Sequence, residues 1–188
     1  MDMQKGRDQA RTVHGTTVLA VRRGTELAMA ADGQVTVGDV VVKHTARKIR
    51  RLFDDQVLVG FSGATADAFT LFDKFEAQLQ RHGGNLRRAA VELAREWRSD
   101  KFLRELDAWL LVGGRDGVLV VSGAGDVLEP DDGVAAIGSG GAYALAAARV
   151  LIEHTDLAAP AIAKVALETA ARLRIYTNDE ITVDVLNF

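Results

Sequence analysis

The stretch His14-Gly15-Thr16-Thr17-Val18-Leu19-Ala20-Val21 decides how the whole chain is interpreted. A polar segment with charged residues ends at Gly15, two threonines follow, and the apolar run after them is typical of a β-strand. We predict that the bond between Gly15 and Thr16 is cut, so that Thr16 becomes the first residue. On this hypothesis residues 1–15 are a leader that is removed, and residues 16–188 form a single domain.

The chemistry of threonine explains why such a cut matters. A threonine hydroxyl is a weak nucleophile and needs a base beside it. An N-terminal threonine carries its own base, because an α-amine has a pKa of about 7.7–8.0 and is partly neutral at cellular pH. Thr16 is therefore the candidate nucleophile. The competing interpretation of Thr16 and Thr17 is structural, since β-branched residues also open edge strands.

Composition excludes several classes of protein. The chain has 188 residues, four histidines, no cysteine and a net charge of -3. The slightly acidic balance argues against nucleic acid or acidic lipid as a partner. The histidines share no metal-ligand spacing, and no run approaches the ~18 apolar residues of a membrane span. Residues 1–15 lack the apolar middle of a secretory signal. We therefore expect a cytoplasmic protein with no membrane segment.

The order of predicted elements favours the layered α+β class. Strand signals fall at residues 16–22, 26–31, 35–42, 57–61, 108–113, 118–122, 127–129, 134–137 and 181–186. Two helices are predicted after residue 61 and two more after residue 141. Runs of strands followed by runs of helices indicate α+β rather than alternating α/β. We expect two antiparallel sheets that face each other, with a helix pair outside each.

Apolar residues at steps of three and four predict the buried face of each helix. The predicted faces are Phe69, Phe72, Phe75 and Leu79 in the first helix, Leu86, Ala90, Leu93 and Trp97 in the second, Tyr143, Ala147, Val150 and Leu151 in the third, and Ile162, Val165, Ala166, Thr169 and Leu173 in the fourth.

Three further residues complete a candidate acyl-transfer site around Thr16. Asp32 ends the strand after the first hairpin, which brings it back near the start of the first strand. The Lys48 ammonium would lower the pKa of the threonine hydroxyl, and a carboxylate would hold that ammonium charged. Gly60 offers a backbone N–H to an oxyanion. The alternatives are a turn residue for Asp32, a solvated basic face for Lys48 and a packing point for Gly60.

The glycine-rich stretch Gly138-Ser139-Gly140-Gly141 precedes the third predicted helix. Such a stretch either binds an anion at a helix start or simply forms a turn. It lacks the Gly-Lys-Ser/Thr end of a P-loop and does not match the spacing of dinucleotide-binding motifs. We therefore expect no nucleotide on this chain.

Several stretches together resemble HslV, the family of bacterial proteasome-like peptidases. They are Thr16-Thr17-Val18-Leu19-Ala20-Val21-Arg22-Arg23, Ala31-Asp32-Gly33-Gln34-Val35-Thr36-Val37-Gly38, Lys48-Ile49-Arg50-Arg51-Leu52, Thr65-Ala66-Asp67-Ala68-Phe69-Thr70-Leu71-Phe72, Ala90-Val91-Glu92-Leu93-Ala94, Ala136-Ile137-Gly138-Ser139-Gly140-Gly141 and Ile175-Tyr176-Thr177-Asn178. The resemblance runs from Thr16 to about Asn178, which is nearly the whole chain after the leader.

The resemblance implies an N-terminal nucleophile hydrolase with a four-layer αββα sandwich. Thr16 takes the place of the attacking threonine, with Lys48 and Asp32 beside it. Ser139 matches the serine that hydrogen-bonds near the threonine amine, and Gly60 matches a glycine whose N–H contributes to the oxyanion hole. The activity implied is a threonine endopeptidase.

The family also binds a monovalent cation, usually Na⁺, through backbone carbonyls near the end of the last helix. The matching positions here are Ala171, Arg174 and Thr177. The first two depart from the glycine and small residue that are common in the family.

The implied assembly is two stacked six-membered rings that enclose a chamber. The implied partner is HslU, a hexameric ATPase that unfolds protein substrates and feeds them in. Two alternatives stay open at this point: a β subunit of a 20S-type proteasome with seven-membered rings, and a non-catalytic ring scaffold of the same fold.

Overall fold

Two antiparallel sheets lie face to face, and a pair of helices covers the outer face of each. The computed structural model describes residues 13–14, 16–63, 65–100 and 108–188. The predicted α+β class and the four-layer αββα sandwich are confirmed. Within the described residues, no helix is long and apolar enough to cross a membrane.

The elements follow the predicted order of strands, two helices, strands, two helices and a strand. In the part of the chain that the structure describes, the strands are β1 (Val13–His14), β2 (Thr17–Arg23), β3 (Glu26–Asp32), β4 (Val35–Val37), β5 (Val40–Lys43), β6 (Ile49–Leu52), β7 (Val57–Gly63), β8 (Ala108–Gly114), β9 (Gly117–Ser122), β10 (Val127–Leu128), β11 (Val134–Gly138) and β12 (Ile181–Asn187). The helices are α1 (Thr65–Arg81), α2 (Leu86–Ser99), α3 (Gly141–His154) and α4 (Ala159–Leu173).

The two large sheets form the inner layers. One has the strand order β11-β2-β3-β12, and the other has the order β10-β9-β8-β7-β6. Side chains alternate along each strand, so each sheet has an inner face toward the other sheet and an outer face toward its helices. Both faces are therefore apolar, and β2 and β3 are almost continuous hydrophobic runs.

A small third sheet, with the order β1-β4-β5, adjoins the start of β2. The predicted single extended segment at residues 35–42 is wrong, because Gly38 takes a left-handed φ of 59° and splits it into the hairpin β4–β5. Val13 and His14 from the predicted leader pair with Val37 and Thr36 of β4. The rest of that leader, residues 1–12 and 15, lies outside the described residues.

The predicted helix faces are only partly right. The α2 face is confirmed, since Leu86, Ala90, Leu93 and Trp97 are all buried. Five residues of the other faces are exposed instead, namely Phe69 (48%), Tyr143 (44%), Val150 (57%), Val165 (39%) and Leu173 (61%).

Alanine contacts explain most of these differences. The residues of α3 and α4 that are fully buried against the sheet are mainly small, including Ala144, Ala148, Ala163 and Ala166. Small side chains let a helix approach the sheet closely, so larger neighbours come to lie on its flanks. Phe69 of α1 has a different partner, because the Arg50 guanidinium lies 4.5 Å from the centre of its ring.

Candidate active site

Thr16 immediately precedes β2 and lies beside the glycine-rich stretch that follows β11. The residue is 6% exposed. Its carbonyl accepts a 3.0 Å hydrogen bond from the N–H of Ser139. The next residue, Thr17, pairs with Gly138 of β11. The first strand therefore places the candidate nucleophile directly beside the glycine-rich stretch, although 122 residues separate Thr17 from Ser139 in the sequence.

Asp32 ends β3 and returns to the start of β2, as the hairpin predicts, since Val18 pairs with Ala31. Its Oδ1 accepts a 2.7 Å hydrogen bond from the Thr17 N–H, and its Oδ2 accepts a 2.9 Å bond from the Gln34 N–H. The carboxylate is almost completely buried. These two N–H donors stabilise the negative charge of the Asp32 carboxylate, which is bonded to the residue after Thr16.

Lys48 lies just before β6, and its buried ammonium forms an ion pair with the Asp32 carboxylate. The Nζ atom donates to Asp32 Oδ1 at 2.8 Å and to the Gln34 carbonyl at 2.7 Å. Burial lowers the pKa of Lys48 from its ordinary value, and the charge of Asp32 acts in the opposite direction. The predicted basic-face alternative for Lys48 is therefore wrong, because the side chain is 2% exposed.

The glycine-rich stretch is a tight loop against β2. Gly138 has φ of 87°, and a Cβ atom at this position would lie 1.9 Å from the Thr16 carbonyl oxygen. The Gly140 N–H donates to the Thr17 hydroxyl at 3.0 Å. Ser139 Oγ is buried and has no hydrogen-bond partner among the described residues. The loop therefore brings this hydroxyl to the neighbourhood of Thr16, the candidate nucleophile.

Gly60 lies in β7 directly beneath β2. A Cβ atom here would lie 2.5 Å from Val18 Cγ1 and 3.2 Å from Met29 Sδ, so the glycine is a close packing point between the sheets. The Phe61 N–H donates to the carbonyl of Lys48, the residue just before β6. Successive N–H groups of a strand point to opposite sides, so the Gly60 N–H points toward β8, where Gly60 pairs with Leu111. Its oxyanion role stays a prediction, and this geometry does not favour it.

The structure adds polar contacts to the site that the sequence does not indicate. The Thr17 hydroxyl lies 2.7 Å from the Thr177 hydroxyl. Buried Gln34 donates from Nε2 to the Ile175 carbonyl at 2.9 Å. Asn178 contacts the Asp32-Gly33 turn through both its side chain and its backbone. Thr177, Asn178 and Gln34 all belong to stretches that carry the resemblance, but nothing in the sequence marks these contacts.

The predicted cation positions lie at the end of α4. Ala171 is in the last turn, whose carbonyls lack partners within the helix and carry the negative end of its dipole. The Arg174 carbonyl accepts a 3.1 Å hydrogen bond from the Thr177 N–H and keeps a second lone pair. The Arg174 guanidinium lies over the ring of Tyr176, 4.9 Å from its centre. The described residues hold no group of three His, Cys, Asp or Glu for a metal.

Comparisons with known proteins agree with this geometry. The family model described as "Proteasome subunit" matches residues 12–186. "ATP-dependent protease subunit ClpQ" of Bacillus pumilus is 60% identical over 92% of this chain and 97% of its own length. "ATP-dependent protease subunit HslV" of Syntrophobacter fumaroxidans is 56% identical over 93% and 97%.

A solved structure gives the same result for the fold. HslV from Trypanosoma brucei superposes with a TM-score of 0.88 at 43% identity, over 92% of this chain and 99% of that one. The family model covers every residue of the candidate site, and both relatives cover nearly the whole chain. The chain therefore belongs to the proteasome subunit family and, within it, to the HslV (ClpQ) group of threonine peptidases.

Proposed function

We propose that this chain is the peptidase subunit of a two-component ATP-dependent protease, and that Thr16 is the nucleophile that hydrolyses the peptide bonds of unfolded proteins. The observation that carries the proposal is the buried Lys48–Asp32 pair, whose carboxylate also accepts the N–H of Thr17. A positive charge is thereby fixed beside the first residue of the proposed mature chain.

The first step is the removal of residues 1–15. The Thr16 hydroxyl attacks the carbonyl of Gly15, and the Gly15–Thr16 amide bond breaks, so that the leader is held as an ester on the Thr16 oxygen and the Thr16 amine is freed. Water then hydrolyses this ester, which releases residues 1–15 and restores the hydroxyl. That amine then serves as the base for later substrates, directly or through a water. The Oγ proton moves to the amine, the oxygen attacks the substrate carbonyl, and the proton passes to the departing amine of the substrate. Water then hydrolyses the acyl-enzyme ester.

Lys48 and Asp32 have different electrostatic roles in the proposed mechanism. The Lys48 ammonium stabilises the alkoxide that develops on Thr16 and favours the neutral form of the nearby amine. Asp32 keeps Lys48 charged in a buried place and fixes its direction. An ammonium that lost this carboxylate would lose its proton more easily, because burial alone lowers the pKa of Lys48.

Two other groups complete the site. The Ser139 hydroxyl, which lacks a hydrogen-bond partner within the part of the chain that the structure describes, would bond the amine that processing creates at Thr16. For the oxyanion, we assign the N–H of Gly63 rather than that of Gly60. N–H groups alternate along β7, so the Gly63 N–H points to the same side as that of Phe61, and the pairing of β7 with β6 ends at Gly60.

The carbonyls of Ala171, Arg174 and Thr177 would hold the monovalent cation, with Na⁺ as the expected ion. Carbonyl oxygens are hard ligands, and the end of α4 presents the negative pole of its dipole there. When bound, the ion supplies a fixed positive charge that neutralises these oxygens. The Thr177 hydroxyl also forms a hydrogen bond with the Thr17 hydroxyl, so the same loop supports the start of β2.

For the assembly, we propose two stacked hexameric rings with the Thr16 sites facing an enclosed chamber, a hexameric HslU-type ATPase as partner, and the cytoplasm as location. The names of the relatives, which call them subunits of ATP-dependent proteases, support this part of the proposal. A 20S-type β subunit has less support, because the relatives at 56–60% identity are HslV and ClpQ. The intact Lys48–Asp32 pair argues against a non-catalytic scaffold.

Intact-mass measurement combined with a peptide-hydrolysis assay tests this proposal. The active protein should begin at Thr16, and Thr16→Ala should keep its fold and assembly while losing peptide hydrolysis. Thr70→Ala is the matched control, because it removes a threonine hydroxyl from an exposed position of α1, outside the site. An active species that still carries residues 1–15 would contradict the proposal.

A further inference from the structure

Asn178 joins three parts of the site through three separate hydrogen bonds. The residue lies between α4 and β12, 146 positions from Asp32. Its Oδ1 accepts from the Gly33 N–H at 3.0 Å, and its Nδ2 donates to the His44 carbonyl at 2.9 Å. Its own backbone N–H donates to Asp32 Oδ2 at 3.4 Å. One side chain therefore bridges the turn after β3 and the segment that leads to Lys48.

The two bridged segments pack backbone to backbone. The Ala46 N–H donates to the Gly33 carbonyl at 2.9 Å. A Cβ atom at Gly33 would lie 2.1 Å from the His44 carbonyl oxygen, so the turn has no room to shift toward this segment. Lys48 follows Ala46 by two residues and makes its ion pair with the residue before Gly33. Any change in the spacing of the two segments therefore moves Lys48 relative to Asp32.

We propose that Asn178 is a positioning residue for the threonine-protease reaction, which clamps the Asp32-Gly33 turn to residues 44–46 and thereby sets where the Lys48 ammonium meets Asp32. The inference rests on the proposed function of Thr16 and deepens it. The amide suits this role because it offers an acceptor to Gly33 and a donor to His44 at the same time. An aspartate keeps the acceptor and places an oxygen against the His44 carbonyl, and an alanine removes both groups.

The test compares kcat and KM of Asn178→Ala and Asn178→Asp with the unmodified chain, in the presence of the ATPase partner. The substrate is a short fluorogenic peptide. The concentration of competent sites is titrated with a peptide epoxyketone, a probe that reacts with an N-terminal threonine. Asn85→Ala is the control, because Asn85 caps α2 with a comparable side-chain bond to the Arg88 N–H and lies outside the site.

We expect kcat per titrated site to fall about 10- to 100-fold in Asn178→Ala with KM changed less than about twofold, because displacements near 1 Å have costs of this size. The kcat per titrated site should also fall in Asn178→Asp, whereas Asn85→Ala should keep the value of the unmodified chain. A role in folding alone would lower the number of titrated sites and leave kcat per site unchanged.

The outcomes separate the two proposals. If the unmodified chain hydrolyses the peptide and either Asn178 variant keeps its kcat per site, the clamp is refuted. If Asn178→Ala yields no titratable sites, Asn178→Asp decides, since it is nearly isosteric. If the unmodified chain itself takes no label on Thr16 and shows no hydrolysis, the proposed function fails instead.

Discussion

The Lys48–Asp32 ion pair is buried, whereas the other ion pairs formed among the described residues are partly or largely exposed. Its two side chains are 2% and 0% exposed. Burying such a pair costs desolvation energy that the mutual attraction repays only with good geometry, so a buried pair is weak evidence of stabilisation. Asp32 is bonded further by the N–H groups of Thr17 and Gln34. This desolvation cost is understandable if the site needs a charge at this point for chemistry.

The first prediction concerns the pH profile of Asp32→Asn. In the proposed mechanism hydrolysis requires a charged Lys48, so activity falls as pH rises through the Lys48 pKa. Burial lowers this pKa and the Asp32 charge raises it, so removal of the charge lowers it further. The alkaline limb of kcat should therefore move to lower pH. Asp184→Asn, at the partly exposed pair with Arg51, is the control and should leave the limb in place.

A second prediction concerns Lys48→Ala, which removes the charge beside the proposed nucleophile. Loss of one preorganised electrostatic group typically costs about 10²- to 10³-fold in kcat. We expect a loss of this size in peptide hydrolysis, measured per folded subunit. Lys74→Ala is the control, because it removes a lysine from a partly exposed ion pair between α1 and α2, outside the site. Turnover equal to that of the control would remove Lys48 from the mechanism.

The individual residues show how far sequence reasoning reaches. Asp32 was predicted correctly to return to Thr16, because a hairpin fixes that geometry locally. Gln34 and Asn178 were missed, because their partners lie 141 and 134 residues away and follow no spacing rule. Gly60 was expected in the core strand, but the direction of its N–H depends on which neighbouring strand it pairs with. That information exists only after the sheet is assembled.

At the scale of elements, strands were easier to predict than helix faces. Strands β2, β3, β8 and β9 are short apolar runs bounded by turn residues, and these signals are local. The faces of α3 and α4 were misjudged because alanines make their closest contacts with the sheet. Apolar periodicity weights large side chains and does not reveal that a helix packs through small ones.

The close approach of β7 to β2 gives a third prediction. Gly60→Ala places a methyl group 2.5 Å from Val18 Cγ1, inside the layer between the sheets. Overpacking of this kind typically lowers the free energy of unfolding by about 1–3 kcal/mol. Denaturant unfolding monitored by circular dichroism measures the change. Gly114→Ala is the matched control, because its new methyl would meet its nearest atom at an ordinary 3.5 Å. Equal stability of the two variants would contradict the packing role of Gly60.

At the scale of the whole molecule, one chain supplies the Lys48–Asp32 pair, the Ser139 loop and the Asn178 bridge. Ring assembly is therefore not needed to build these parts of the site, and in the proposal it restricts access to them. Hiding a site of broad specificity inside a chamber makes unfolding of the substrate the step that selects what is cut.

The fourth prediction follows from this division. A short peptide should be hydrolysed without ATP hydrolysis by the partner, whereas a stably folded protein should be degraded only with the ATPase and hydrolysable ATP. Comparison of the two substrates with ATP and with a non-hydrolysable analogue measures the difference. Degradation of the folded protein by this chain alone would contradict the chamber model. Six-fold symmetry of the particles in electron micrographs is expected, and seven-fold symmetry would favour the 20S-type alternative.

The most direct measurement identifies the residue that a peptide epoxyketone modifies in the processed, active protein. This probe forms two bonds, to a hydroxyl and to an amine of the same N-terminal residue. The account predicts one adduct per competent subunit, located by tandem mass spectrometry on a peptide that begins at Thr16, and none in Thr16→Ala. An adduct on any other residue of an active protein, or activity in a chain whose Thr16 amine is still joined to Gly15, would contradict it.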